Sequence, residues 1–157
     1  MPIAGNLAAF ADAVPRERGL LGLDVAKTTL GVAGADPTWT VATPLRAIRR
    51  TRFHRDVREL ERLIREREVG GLVIGWPVNM DGSEGPRCQS VRQFALNLEE
   101  HLPLPMLLWD ERWSTQAVER RMIEADLSRK KRAERVDAAA AAYILQGALD
   151  ALRRVVA

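Results

Sequence analysis

Three acidic residues stand where a folded domain ordinarily avoids them. Asp24 closes the apolar run Leu20-Leu21-Gly22-Leu23, and Glu111 follows Met106-Leu107-Leu108-Trp109-Asp110. Asp137 opens an alanine-rich stretch that runs on to Leu145. Buried carboxylates are costly unless they are paired, hydrogen-bonded or bound to a cation. Three that converge repel one another and raise their pKa values until a cation neutralises them. Mg²⁺ or Mn²⁺ suits such a set, because hard cations prefer oxygen ligands. Two ions about 4 Å apart stabilise the attacking and leaving oxygens of a phosphodiester displacement. Asp24, Glu111 and Asp137 are therefore the candidate metal ligands and catalytic groups. His54 and His101 fall on helical segments away from the strand ends, so the metal, not a histidine, generates the nucleophile in this reading.

Each acid also has a local alternative. Asp24 fits a turn in which it caps the backbone N–H groups of Lys27 or Thr28. Asp110 fits a cap for whatever helix follows it, and Glu111 fits an ion pair with Arg112 or another surface arginine. Asp137 fits a first-turn aspartate that complements a helix dipole.

The elements that must position these residues are legible from periodicity. Residues 20–25, 29–33 and 39–47 read as three short strands with spacings that favour antiparallel hairpins. Residues 54–68 are helical, with Val57, Leu60 and Ile64 on one face, and Gly70-Gly71 ends the helix. Residues 72–75 are wholly apolar, as a buried parallel strand requires. A loop over 76–89 precedes a helix carrying Val91, Phe94, Ala95 and Leu98. A strand over 106–109 and helices over 115–125 and 134–155 complete the order. This predicts an α/β domain: a mixed five-stranded sheet of three antiparallel and two parallel strands, flanked by helices. Ligands gather at strand carboxyl ends in open α/β sheets, and Asp24 and Glu111 both lie there. At about 100° per residue, Asp137, Ala141, Ile144 and Ala148 share one stripe of the last helix, which turns Asp137 toward the sheet.

A chain of 157 residues fits one domain, large enough for a core but small for two. Its 46% hydrophobic and 29% charged content is that of a folded protein, not a disordered one. Residues 1–18 lack the pattern of a secretory signal and read as a poorly ordered extension before a domain over 19–157. No apolar run approaches the ~18 residues of a membrane span. The single cysteine, Cys88, excludes an internal disulfide and a cysteine-based zinc site, and a reducing cytoplasm is the simplest compartment. Net charge is only +3, but arginines cluster at Arg46, Arg49, Arg50, Arg52 and Arg55, and again at Arg129-Lys130-Lys131-Arg132. Such patches attract phosphate backbones through counterion release.

The stretches Gly22-Leu23-Asp24, Gly31-Val32-Ala33 with Asp36-Pro37, the run from Gly75 to Gly85, Asp110-Glu111-Arg112-Trp113-Ser114-Thr115, Arg129-Lys130-Lys131-Arg132 and Val136-Asp137-Ala138-Ala139-Ala140 occur in one order over some 130 residues. In this the chain resembles the YqgF family, also called RuvX, of Holliday-junction-resolvase-like proteins assigned as pre-16S rRNA nucleases. The resemblance implies an RNase H-like fold, with Asp24, Glu111 and Asp137 as the catalytic, metal-binding acids. It also implies trimming of the 5′ end of pre-16S rRNA in ribosome biogenesis, with the loop over 81–85 bordering the site. Ala26, Thr28 and Ala35 stand where the family usually has glycine, a basic residue and serine.

The expectation is thus a Mg²⁺- or Mn²⁺-dependent nuclease acting on structured RNA as a monomer or weak homodimer, away from membranes. Lys27, Arg112, Arg129, Lys130, Lys131 and Arg132 would bind the substrate. A DNA junction resolvase and a non-catalytic nucleic-acid-binding module are the alternatives, because backbone contacts do not reveal whether a 2′-OH is read.

Overall fold

The computed structural model describes the backbone of residues 3–4, 6–113 and 129–156, and the side chains of 6–112 and 137–156. Its elements are β1 (Ile3–Ala4), α1 (Leu7–Ala13), β2 (Gly19–Val25), β3 (Thr29–Ala35), β4 (Thr43–Arg49), α2 (Phe53–Glu66), β5 (Val69–Trp76), α3 (Pro86–His101), β6 (Met106–Asp110) and α4 (Arg129–Val156). The sheet order is β1-β6-β5-β2-β3-β4. β2, β3 and β4 pair antiparallel, whereas β5 lies parallel to both β2 and β6. The five expected strands and their directions are those observed. The two-residue β1 adds a sixth, parallel to β6.

Period-two alternation sorts the sheet into two faces. Leu21, Leu23 and Val25 of β2 join Leu30, Val32, Leu72 and Ile74 in a core with Val57 and Leu60 of α2 and Phe94 and Leu98 of α3. The other face carries Leu20, Ala33, Ala35 and Val73 against Ala141, Ile144, Leu145, Ala148 and Leu149 of α4. By the same alternation Asp24 belongs to the α4 face.

Three expectations change. Part of the segment expected to be a poorly ordered extension, residues 7–13, is the helix α1. Asn6 caps it by accepting a bond from the Ala9 N–H at 2.8 Å, and Phe10, fully buried, packs in the α4-side core. The sequence pattern concealed this because one aromatic anchor in seven residues gives little periodicity. The third strand begins at Thr43, not residue 39. Trp39 has a left-handed φ of 53°, its indole N–H donates to the Arg18 carbonyl, and the Ala42 N–H donates to Gln146 Oε1 of α4 at 2.9 Å. These bonds draw residues 36–42 out of the ladder. Finally, α4 starts at Arg129, five residues before its expected start. Asp137 is therefore not a first-turn residue, and the helix-dipole account of it fails. The helix expected over 115–125 lies outside the described residues.

Candidate active site at the strand carboxyl ends

Asp24 is the penultimate residue of β2, the strand flanked by β3 and β5. Its cross-strand partner on β3 is Gly31. A Cβ built on Gly31 would lie 3.4 Å from Asp24 Cβ and only 2.0 Å from the Asp137 carbonyl oxygen. The backbone of α4 thus rests directly on β3 beside Asp24, which a side chain at position 31 would prevent. On the other side, β5 reaches Gly75 one residue beyond the Leu23–Ile74 pair. A Cβ there would lie 2.7 Å from Glu111 Oε1. Two glycines flanking one aspartate therefore make room for Asp137 and Glu111. This is the signal that ties the acids together, and it is visible in the sequence once the strand register is known.

Glu111 reaches this face because the chain leaves β6 in register. Leu107 and Trp109 pack in the α4-side core, so two residues on Glu111 points the same way while Asp110 points oppositely. Asp110 is buried, at 5% exposure, and accepts bonds from the Arg112 N–H at 3.0 Å and from Arg112 Nη2 at 2.6 Å. It caps the 3₁₀ turn Glu111–Trp113, as the sequence suggested, and those bonds hold its carboxyl below the usual range. Glu111 does not pair with Arg112.

Burial pushes the Asp24 carboxyl above its ordinary value; Arg87 opposes the shift and Asp137 adds to it. Glu111 is raised in the same way by burial, then by Asp24, again opposed by Arg87. The field of Asp24 therefore couples to each of the other two acids. Among the described residues no three acidic, histidine or cysteine side chains form a ready cage for one ion. The arrangement is pairwise about Asp24.

Arg87 escaped the sequence reading. It lies in the first turn of α3, directly after Pro86 at the helix start, and lines with Glu111, Asn79 and Met80 a cleft of about 370 Å³. The loop expected over 76–89 instead ends at Gly85, and Pro86 starts the helix. Among the described residues Arg87 makes no ion pair within 4.0 Å. A wider cavity of about 620 Å³, lined in part by Val14, Trp39 and Arg153, lies at the opposite end of the strands and contains none of the three acids.

Of the expected substrate-binding residues, Lys27 is exposed in the β2–β3 turn, at the same sheet edge as Asp24. Ala26 in that turn does not have the left-handed φ that favours glycine, which non-glycine residues adopt only at Glu17, Trp39 and Glu68 among the described residues. The departure at Ala26 thus imposes no backbone strain. Arg112 is bonded to Asp110 and also approaches the Met80 carbonyl at 3.5 Å. Arg112→Ala is expected to lower the melting temperature by leaving the buried Asp110 carboxylate without its partner, and thermal melts of Arg112→Ala, Asp110→Asn and the double variant check the coupling. Arg129, Lys130, Lys131 and Arg132 form the first turn of α4, and their side chains lie outside the described residues. Ser114 and Thr115 also lie outside them. The loop over 81–85 is internally bonded: Asp81 Oδ1 accepts the Ser83 N–H at 2.9 Å and its hydroxyl at 2.6 Å, and Gly82 supplies a φ of 89°.

Residues 18–151 match a family model described as RuvX, Holliday junction resolvase. The chain is 59% identical to a protein of Rhodobacter capsulatus over 91% of this chain and 90% of that one. It is 58% identical to one of Rhodospirillum rubrum over 98% and 96%. Both are named provisionally as pre-16S rRNA nucleases. Among solved structures, Thermus thermophilus RuvC bound to a Holliday junction superposes with a TM-score of 0.56 at 13% identity, covering 85% of this chain and 94% of that one. The yeast mitochondrial Holliday junction resolvase Ydc2 gives 0.54 at 12% identity, over 97% and 88%. These likenesses establish the RNase H-like, RuvC-type fold.

Proposed function

The chain belongs to the RuvX family, and we propose that it is a Mg²⁺- or Mn²⁺-dependent endonuclease that trims precursor 16S rRNA in the cytoplasm. The observation that carries the reading is the placement of Asp24 between Gly31 and Gly75, which lets Asp137 and Glu111 crowd one carboxylate edge. Asp24 and Glu111 are raised in pKa by burial and by neighbouring acids, and the donors of all three acids are hard oxygens. Both properties fit a divalent cation. Asp24 with Glu111, and Asp24 with Asp137, would hold it. When bound, the ion supplies the positive charge that a phosphodiester displacement needs on its attacking and leaving oxygens.

The chain's own residues do the rest. Arg87 lies close enough to Asp24 and Glu111 to lower the pKa of both and has no ion pair among the described residues, which suits its guanidinium to the non-bridging oxygens of the phosphate. Arg87→Ala is expected to lower kcat/KM about 100-fold, the usual effect of losing one charge-stabilising donor. Arg87→Lys would fall between that and the native protein, and equal rates for all three would remove Arg87 from the site. Lys27 would hold a neighbouring phosphate. Arg129, Lys130, Lys131 and Arg132 begin about 12 Å before Asp137 along α4, which suits them to the substrate strand beyond the cut. Monomers or weak homodimers suffice for one cut per site.

The deciding experiment incubates the protein with pre-16S rRNA and, separately, with a four-way DNA junction, in Mn²⁺ or in EDTA. Metal-dependent cutting of the RNA is the expected result. Cutting of the junction alone would transfer the protein to the resolvases, the activity that the family's description carries. Binding without cutting would leave a non-catalytic nucleic-acid-binding module.

A further inference from the structure

The arginines of β4 and α2 take no part in the site described above, yet the sheet register brings them to its edge. Asp24 pairs with Gly31, Gly31 with Ala47, and Thr29 with Arg49. Arg49 therefore lies two strands from the acidic edge, about 10 Å at the usual strand spacing. The Ala26-Lys27-Thr28 turn lies between them. That turn is fastened to the β4–α2 junction: the Arg50 N–H donates to the Thr28 carbonyl at 2.8 Å, and Arg50 Nη1 donates to the Ala26 carbonyl at 2.7 Å. Arg50 is thereby used in the fold and keeps Lys27 and Arg49 in one rigid piece.

Beyond Arg49 a groove of about 340 Å³ is lined by Arg49, Arg55, Arg58 and Arg62. Two carboxylates share its walls. Asp56 is buried and turned to the Thr51 N–H, at 3.2 Å. Glu59 is taken by Arg46 at 3.1 Å and Arg62 at 3.8 Å. Arg49, Arg55 and Arg58 are exposed and have no ion pair among the described residues. Three exposed guanidinium groups without ion pairs present a row of positive charge along the groove. A nucleic-acid backbone presents charges in such a row.

We propose that the β4–α2 groove is a second contact surface for the RNA substrate, continuous with the cleavage site through Lys27, and that Arg49, Arg55 and Arg58 each engage a backbone phosphate. This rests on the nuclease reading only for the identity of the ligand. The groove fits a phosphate backbone whichever bond the acids cut. Contacts of this kind fix register and orientation without reading bases. The groove would therefore favour long structured substrates over short ones.

The test uses the Asp24→Asn protein, so that binding is measured without cutting. A fluorescent RNA stem-loop long enough to pass both the acidic edge and the groove is titrated across a range of salt. Arg49→Gln/Arg55→Gln/Arg58→Gln should weaken binding at least about tenfold at low salt and flatten the slope of log K against log salt by about two to three. The charge-matched control Arg65→Gln/Arg67→Gln/Arg154→Gln removes three exposed arginines from the other end of the molecule and should change the slope by less than about one. Equal slopes for the two triple variants would overturn the proposal, and a melting temperature matched to the parent guards against misfolding. Failure of the native protein to cut any RNA would refute the nuclease reading instead, and the salt slopes would still decide the groove.

Discussion

Asp24→Asn is expected to abolish metal-dependent RNA cleavage, by about 10³-fold or more, and to raise the melting temperature of the metal-free protein. The first effect follows from position. Asp24 is the residue whose field reaches both Glu111 and Asp137, so its loss removes a ligand from either pair. A cation at such a site contributes several kcal/mol to charge stabilisation, at about 1.4 kcal/mol per tenfold in rate. The second effect follows from burial. Ionised Asp24 is held in a desolvated position beside two other acids, and an amide of the same shape escapes both penalties.

The same argument fixes a pH dependence. The folded-state pKa of Asp24 is raised from 3.8 and that of Glu111 from 4.5. Between its ordinary and its raised value, each group binds more protons folded than unfolded. Stability in EDTA therefore falls as pH rises through that window. The melting-temperature gap between Asp24→Asn and the native protein should open over the same window in EDTA and reverse in excess Mn²⁺, which stabilises only the state that binds it. A gap indifferent to both pH and metal would contradict the site.

Gly31→Ala is the second large effect, and it acts through the fold. The added methyl would meet the Asp137 carbonyl at 2.0 Å, a contact with backbone that no rotamer change relieves. Either β3 or α4 must shift. Overpacking of this kind costs about 1–3 kcal/mol and more where backbone must move, so a loss of about 3 kcal/mol or more is expected. For a chain of this size that lowers Tm by roughly 6–12 °C. Cleavage should fall with it even well below the melting point, because Asp137 is carried away from Asp24. Thermal melts and cleavage assays on the same preparation check both halves; an alanine variant with native Tm and rate would show that α4 does not rest on β3 as described.

Much of this molecule follows from local rules that one chain carries. The alternation of Leu21, Leu23 and Val25, the apolar run of β5 and the helical stripe of Ala141, Ile144 and Ala148 each dictate an element and a buried face. A sequence with those periods has few other ways to bury its apolar surface. Phe10 shows the opposite case. Its burial depends on a pocket made by the sheet and by α4, which follows more than a hundred residues later, so nothing within residues 7–13 announces it. Trp39 and Ala42 leave the expected strand for a similar reason: their bonding partners are Arg18 and Gln146.

The candidate site divides along the same line. Residue type and order alone singled out Asp24, Glu111 and Asp137, because carboxylates adjoining apolar runs have few inexpensive explanations. Their meeting, by contrast, was decided by register. Only pairing β2 with β3 and β5 sets Gly31 and Gly75 beside Asp24, and only the missing side chains there let α4 and Glu111 approach. Arg112 is bonded by the fold to Asp110, and Arg87, which no local pattern marks, comes within electrostatic reach of Asp24 and Glu111. A side chain's type is a local property, whereas its partner is a property of packing. The sequence by itself therefore determined which side-chain chemistry stands at each position, and the tertiary structure decided which of those side chains face one another.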